Sequence, residues 1–164
     1  MAWSTTAPEL PSGSAWGQEK SISGVSNHWR LTGKLYIARL NGRQFAIKAV
    51  LVSDNGEYGT YYPPEKWKLR CDIGGVTGTE DTSFEVVKGT TTFYFVGEAG
   101  EGVTITANVG DVGAVVAVQT ATFTAPALFG DVLYLNVNGA AKQVTRVLLN
   151  VNGTAQEALA KVNP

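Results

Sequence analysis

The sequence predicts an all-β protein, a β-sandwich with a C-terminal β-hairpin extension, and three observations carry that expectation. Apolar and polar residues alternate with a period of two in several short runs, the pattern of strands with one buried face. Glycine-rich turn chemistry separates those runs at even spacing. No segment shows a convincing helical period, and evenly spaced strands point to a sandwich or barrel rather than to alternating βα units.

Residues 1–17 hold Pro8, Pro11, Gly13 and Gly17 among serines and threonines and form an irregular arm. Trp3 and Trp16 lie within it. A solvated tail rarely carries two tryptophans, so the arm is expected to pack along a sheet or a neighbouring subunit. The sandwich is expected over residues 18–126. Its first clear strand covers 29–40, with Trp29, Leu31, Leu35 and Ile37 on one face and Gly33 interrupting it. Asn41-Gly42 then predicts a two-residue type I′ turn, because both residue types tolerate positive φ, and residues 43–52 return antiparallel. Residues 54–59 carry turn chemistry, and Tyr61-Tyr62-Pro63-Pro64 extends that loop, since proline disfavours helix in the residue before it. The cleanest alternation covers 66–73: Trp67, Leu69, Cys71 and Ile73 face inward while Lys66, Lys68, Arg70 and Asp72 face water. After a turn around Gly74, Gly75 and Gly78, residues 84–87 and 91–96 form two strands joined by Lys88-Gly89. Residues 103–109 alternate again, and Gly110-Asp111-Val112-Gly113 turns the chain into a strand over 114–124.

The C-terminal region, 127–164, contains an internal repeat: residues 133–143 return fourteen residues later as 147–157. Each unit is an apolar strand, an Asn-Gly pair and a short return strand. The turns fall at Asn138-Gly139 and Asn152-Gly153. Two such hairpins have too little core to stand alone and must pack against the main domain, a partner or a copy of themselves.

Composition narrows the possible functions. Hydrophobic residues make up 44% of the 164 and charged residues 16%, so the chain is globular rather than disordered. With 13 basic and 14 acidic residues spread along it, there is no electrostatic footprint for nucleic acid or anionic membrane. No apolar run is long enough to span a bilayer, and residues 1–8 show no basic segment followed by an apolar one, so no export signal is expected. The single cysteine excludes an intrachain disulfide framework and a thiol cluster for zinc.

Catalytic groupings are equally sparse. The sole histidine, His28, has no Gly-x-Ser-x-Gly elbow to accompany it and is expected to be an ordinary loop or strand-end residue. Cys71 belongs to a buried face, where a thiol behaves as a small hydrophobe. The carboxylates of Asp54 and Glu57, and of Glu80 and Asp81, sit in turns and match no twelve-residue calcium loop. The Gly97–Gly102 stretch, numbered 97–102, carries acids that would repel phosphate. The expectation is therefore a non-enzymatic chain with no cofactor and no metal. One binding feature stands out: Tyr58, Tyr61 and Tyr62, with Trp67 at the edge, could form a platform for sugar rings or a protein, because aromatic rings give large contact area at small entropic cost. The same residues could instead pin the loop over the end of the sandwich.

Two resemblances add to this reading. The runs 103–109 and 121–124 resemble the closing hairpin of bacterial immunoglobulin-like domains, which favours an immunoglobulin-like or jelly-roll-type sandwich over a barrel. The unit apolar-Tyr-x-Asn-Val-Asn-Gly-x-Ala-Lys-x-Val within 131–157 resembles short repeats near the ends of tail and minor structural proteins in phages and prophages of Gram-positive bacteria. Its second copy departs from that pattern, with Gln156 for the lysine and Ala158 for the valine. The resemblance implies a virion component, assembled in the bacterial cytoplasm, in the tail, baseplate or another exterior part. Its implied partners are other virion proteins and copies of itself as a homo-oligomer, with roles from structural decoration to attachment to a host-surface glycan. The alternative is a carbohydrate-binding adhesion module built on the aromatic loop.

Overall fold

The computed structural model of the chain describes residues 2–12, 14–62, 66–76, 80–85, 87–113 and 115–127, with the backbone of four short strands between 134 and 157. Every regular element among these residues is a β-strand. The chain divides into two compact units, Met1–Leu128 and Phe129–Pro164.

The first unit is a β-sandwich of two four-stranded antiparallel sheets. One sheet has the order β1 (Gly17–Val25), β2 (Trp29–Arg39), β3 (Gln44–Asn55) and β6 (Gly89–Glu98). The other runs β5 (Thr82–Phe84), β4 (Trp67–Ile73), β7 (Thr104–Asp111) and β8 (Gln119–Thr124). Setting β1 aside, β3 pairs with β6 across the chain and β4 with β7. Each sheet therefore pairs strands that are distant in the chain, as in a β-sandwich.

The period-two pattern explains the core. Leu31, Leu35 and Ile37 of β2, Phe45, Ile47, Ala49 and Leu51 of β3, and Phe93 and Phe95 of β6 point inward from the first sheet. Leu69 and Cys71 of β4, Ile105, Ala107 and Val109 of β7, and Phe123 of β8 meet them from the second. Each large side chain fully removed from water here contributes about 1.5–3 kcal/mol, so the facing rows dominate the stability of the unit.

Register overrides local turn chemistry at the first hairpin. A two-residue turn at Asn41-Gly42 would set Leu40 opposite Arg43 and bring Ala46 opposite Ile37. Ile37 instead lies opposite Ile47 and Leu35 opposite Ala49, which keeps Phe45 and Ile47 in the core. A one-residue slip would have turned both outward. The connection is accordingly three residues long: Leu40 N–H donates to Gln44 C=O at 2.9 Å and Gln44 N–H to Asn41 C=O at 2.7 Å. Of the turn residues only Gly42 takes positive φ, 45°.

Other boundaries differ from expectation for tertiary reasons. Strand β1 was invisible as a strand because only Ile22 of its nine residues is buried; its pairing partner β2 defines it. Strand β3 extends to Asn55 because Trp29, Arg30 and Leu31 remain paired with Asn55, Asp54 and Ser53. Residues 84–87 and 91–96 do not lie side by side: β5 pairs with β4 and β6 with β3, so Lys88 lies on a connection between sheets. Gly110 and Asp111 belong to β7 rather than to a turn, and β8 begins only at Gln119.

The arm packs along β6. Ser4 exchanges both backbone hydrogen bonds with Tyr94, at 2.8 and 2.7 Å, which places buried Trp3 against Phe95 with ring centroids 5.5 Å apart. Trp16 meets Tyr94 at 6.1 Å. On the opposite flank, Gln18 spans the gap between sheets. Its Nε2 donates to Thr124 C=O at 2.7 Å and its Oε1 accepts Thr124 N–H at 3.1 Å.

Arg39 closes one end of the sandwich. Its side chain is buried and donates to main-chain carbonyls of Arg43 at 2.8 Å, Ala99 at 2.9 Å and Ala127 at 3.3 Å, and to that of Pro126. Burial lowers its pKa, an effect opposed by Glu101 and reinforced by Arg43. One guanidinium thus ties together the β2–β3 turn, the β6–β7 connection and the segment leaving β8.

In the second unit, β9 (Tyr134–Val137) pairs with β10 (Ala140–Gln143), and β11 (Leu148–Val151) with β12 (Thr154–Glu157). Val137 lies opposite Ala140 and Val151 opposite Thr154, so each connection has two residues. Those four residues, Asn138, Gly139, Asn152 and Gly153, lie outside the described residues.

Arg39→Met keeps the aliphatic stem and removes the donors to buried carbonyls. The expected loss is about 3 kcal/mol of unfolding free energy, measured as a lowered urea midpoint with unchanged slope.

Candidate functional site

The end of the sandwich opposite Arg39 is built from three connections, and a glycine makes their geometry possible. A Cβ on Gly56 would lie 2.3 Å from Ser26 O and 2.4 Å from Trp29 N, so only glycine lets the chain leaving β3 press against the β1–β2 turn. The two segments are then clasped by main-chain bonds: Gly56 N–H to His28 C=O at 3.0 Å, Glu57 N–H to Ser26 C=O at 3.0 Å, and Tyr58 N–H to Asn27 C=O at 2.9 Å. Asn55 Nδ2 also donates to Gly59 C=O at 3.0 Å, and Gly59 itself takes φ 67°.

This clasp assembles an aromatic cluster around His28. The imidazole lies edge-on to Tyr58, 5.4 Å between centroids, and to Tyr62, 4.8 Å, at 79° in both cases. Its Nδ1 is 2.9 Å from Thr60 Oγ1, which fixes the ring. Tyr58 and Tyr62 are 65% and 61% exposed, although the loop beneath them is held by hydrogen bonds.

The third connection, between β7 and β8, is shaped by a buried carboxylate. Asp111 accepts Val115 N–H at 3.1 Å and Val116 N–H at 2.7 Å, and Val112 N–H donates to Lys66 C=O at 3.0 Å. Val116 is driven into the core while Val115 is left 59% exposed. This is why residues 115–118 are not a strand: the N–H groups of Val115 and Val116 serve Asp111 rather than a ladder. Ser26, Asn27, His28, Trp29 and Val115 together line a cleft of about 450 Å³.

The four aromatic residues expected to form one platform are therefore divided. Tyr58 and Tyr62 stand on the surface. Tyr61 is half-buried, its phenol oxygen accepting from Ser53 Oγ at 3.2 Å and its ring 5.6 Å from Lys88 Nζ. Trp67 is not at the edge of the loop but in the core, 2% exposed, as the inward alternation of β4 requires. Sequence reasoning missed Asn27, His28 and Val115 as members of the site. His28 carried a signal as the only histidine, but its tyrosine neighbours lie 30 and 34 residues away in sequence.

Other polar groups have structural partners. Asp54 lies 3.5 Å from Arg30 and 3.7 Å from Lys88. Hydrogen bonding from Asn55 N–H, with those cations beside it, holds its carboxyl below the usual range. Asp81 is paired with Lys68. Burial, with a smaller contribution from Asp72, pushes the Cys71 thiol up to about 12. Among the described residues no three His, Cys, Asp or Glu side chains converge as metal ligands. A second concavity, about 430 Å³, lies on the first sheet over Gly33, Val50 and Val52. There Lys34 pairs with Glu19 at 2.7 Å and Lys48 lies 5.7 Å from the Tyr36 ring.

No protein-family model, curated protein or solved structure matches this chain.

Gly56→Ala is expected to cost about 2–4 kcal/mol and to separate the clasped segments, read by a lowered thermal midpoint and by loss of slow hydrogen exchange at Gly56 and Tyr58. For Cys71, the native state retains its proton across a pH range in which the unfolded thiol ionises. Stability is unaffected below the unfolded pKa near 9 and falls as pH rises from 9 towards 12. That alkaline decline is expected to be shallower in Cys71→Val, measured by urea unfolding at paired pH values.

Proposed function

We propose that this chain is a non-enzymatic structural component of a bacteriophage particle, in the tail, baseplate or another exterior part, acting through assembly with other virion proteins and with copies of itself. The observation carrying this reading is the tandem of hairpins. Strands β9 to β12 are four residues long and form two separate two-stranded sheets, and an isolated pair of such strands is marginal in water. They coincide with the repeat that resembles phage tail and minor structural proteins. A repeated unit of this size gains stability by addition to a surface or to further copies of itself. Self-contained packing in Met1–Leu128 supports a division of labour, a stable body carrying an assembly element.

A second reading, attachment to a host-surface glycan, is favoured by the exposure of Tyr58 and Tyr62 on a hydrogen-bonded loop. Both roles are compatible in one particle component.

Light scattering on the full chain is expected to give a multimer of defined size, and a chain ending at Leu128 to remain folded and become monomeric. A full chain that stays monomeric at high micromolar concentration, and that mass spectrometry does not find in purified particles, would overturn the assembly reading.

A further inference from the structure

We propose that the end of the sandwich formed by residues 25–29, 56–62, 112–113 and 115–118 is a binding cleft for a neutral saccharide. His28 and Asn27 line the cleft and supply polar contacts, and the exposed rings of Tyr58 and Tyr62, which do not line it but pack against His28, supply stacking faces beside it. This rests on the second reading above and gives it a defined site in place of a platform of four aromatic rings.

The distribution of exposed apolar surface locates the cleft. Among the described residues, every large apolar side chain that stands exposed lies at this end of the sandwich, apart from Val76. The strand ends Val25, Trp29, Asn55, Gly89, Asp111 and Gln119 meet here, while the other end is closed by Arg39. Solvent-facing apolar groups gathered at one end of a domain mark an interaction site.

Rigidity supports a binding role. The β1–β2 turn and the loop after β3 are joined by main-chain bonds that Gly56 alone permits, and Asp111 fixes the third loop. The ordering cost that a flexible loop would pay on binding is met in the free protein.

Shape and chemistry select the ligand. A cleft of about 450 Å³ falls within the range of small-molecule sites, roughly 300–1,000 Å³. The described lining carries a hydroxyl, an amide, an imidazole, an indole and a valine, and the one charged side chain among the described residues of the three segments is the carboxylate of Glu57, so an anionic ligand would lose hydration without gaining a counter-charge. Sugars present an apolar C–H face and a rim of hydroxyls, matching exposed rings beside short polar side chains. His28 Nδ1 is engaged by Thr60, and its Nε2 has no partner among the described residues, leaving it to meet a ligand hydroxyl.

The test is binding of the full chain to an array of neutral oligosaccharides of glucose, galactose, rhamnose and N-acetylglucosamine, followed by calorimetric titration of the strongest ligand. Tyr58→Ala and Tyr62→Ala, both at exposed positions, are expected to keep the fold and weaken binding at least tenfold, while Val76→Ala at the other end leaves it unchanged. Absence of binding to every array member overturns the proposal. Binding lost only on Tyr61→Ala overturns the cleft while preserving a glycan role for the loop. Dissociation of the multimer by Tyr58→Ala or Tyr62→Ala, without sugar binding, makes this end a protein interface and also overturns it. Because the chain truncated at Leu128 tests assembly separately, failure here does not decide the assembly reading.

Discussion

Alternate residues of two facing sheets bury one another in this protein, and that single interaction sets the terms for everything else. It fixes which side of each strand faces in, and hence the register of every neighbouring pair. It also leaves the sandwich unfinished on four sides, since two stacked sheets have open flanks and open ends. The irregular parts of Met1–Leu128 are best understood by which of those openings they close.

Both flanks are closed by imitation of a strand. Ser4 adds one residue of ladder to the outside of β6, and Trp3 fills the space behind it. Gln18 uses its side-chain amide as a surrogate peptide group for Thr124. Exposed strand edges invite pairing with other chains, and these contacts blunt the β6 and β8 edges of the unit. The two ends are treated in opposite ways. Arg39 fills one with a buried cation satisfied by carbonyls; the other keeps apolar side chains in water over a hydrogen-bonded frame. An end that is ordered but not covered is the feature of this unit that packing alone does not account for.

The site follows from the same logic. Gly56 permits the clasp, the clasp brings His28 between two tyrosines, and the demand of Val116 for the core turns Val115 outward. None of these contacts links neighbours in sequence. Loops positioned by a rigid scaffold commonly carry binding, and here the scaffold holds the loops through main-chain hydrogen bonds, the Asp111 carboxylate and the side chain of Val116 in the core.

The sequence by itself determined the runs of β2, β3, β4, β6 and β7 and the side of each that is buried, because alternation is a local property: Trp67, Leu69 and Cys71 had to face inward together. It also revealed the tandem hairpins, because a repeat is visible without any contact. The inward assignment of Trp67 was in conflict with its place in an aromatic platform, and the alternation was the stronger signal. Only the tertiary structure decided the three-residue connection after β2, the existence of β1, the division of labour among the tyrosines and the gathering of His28, Tyr58, Tyr62 and Val115. Each of these depends on residues distant in the chain meeting across a sheet or between loops, and periodicity and turn preference carry no information about such meetings.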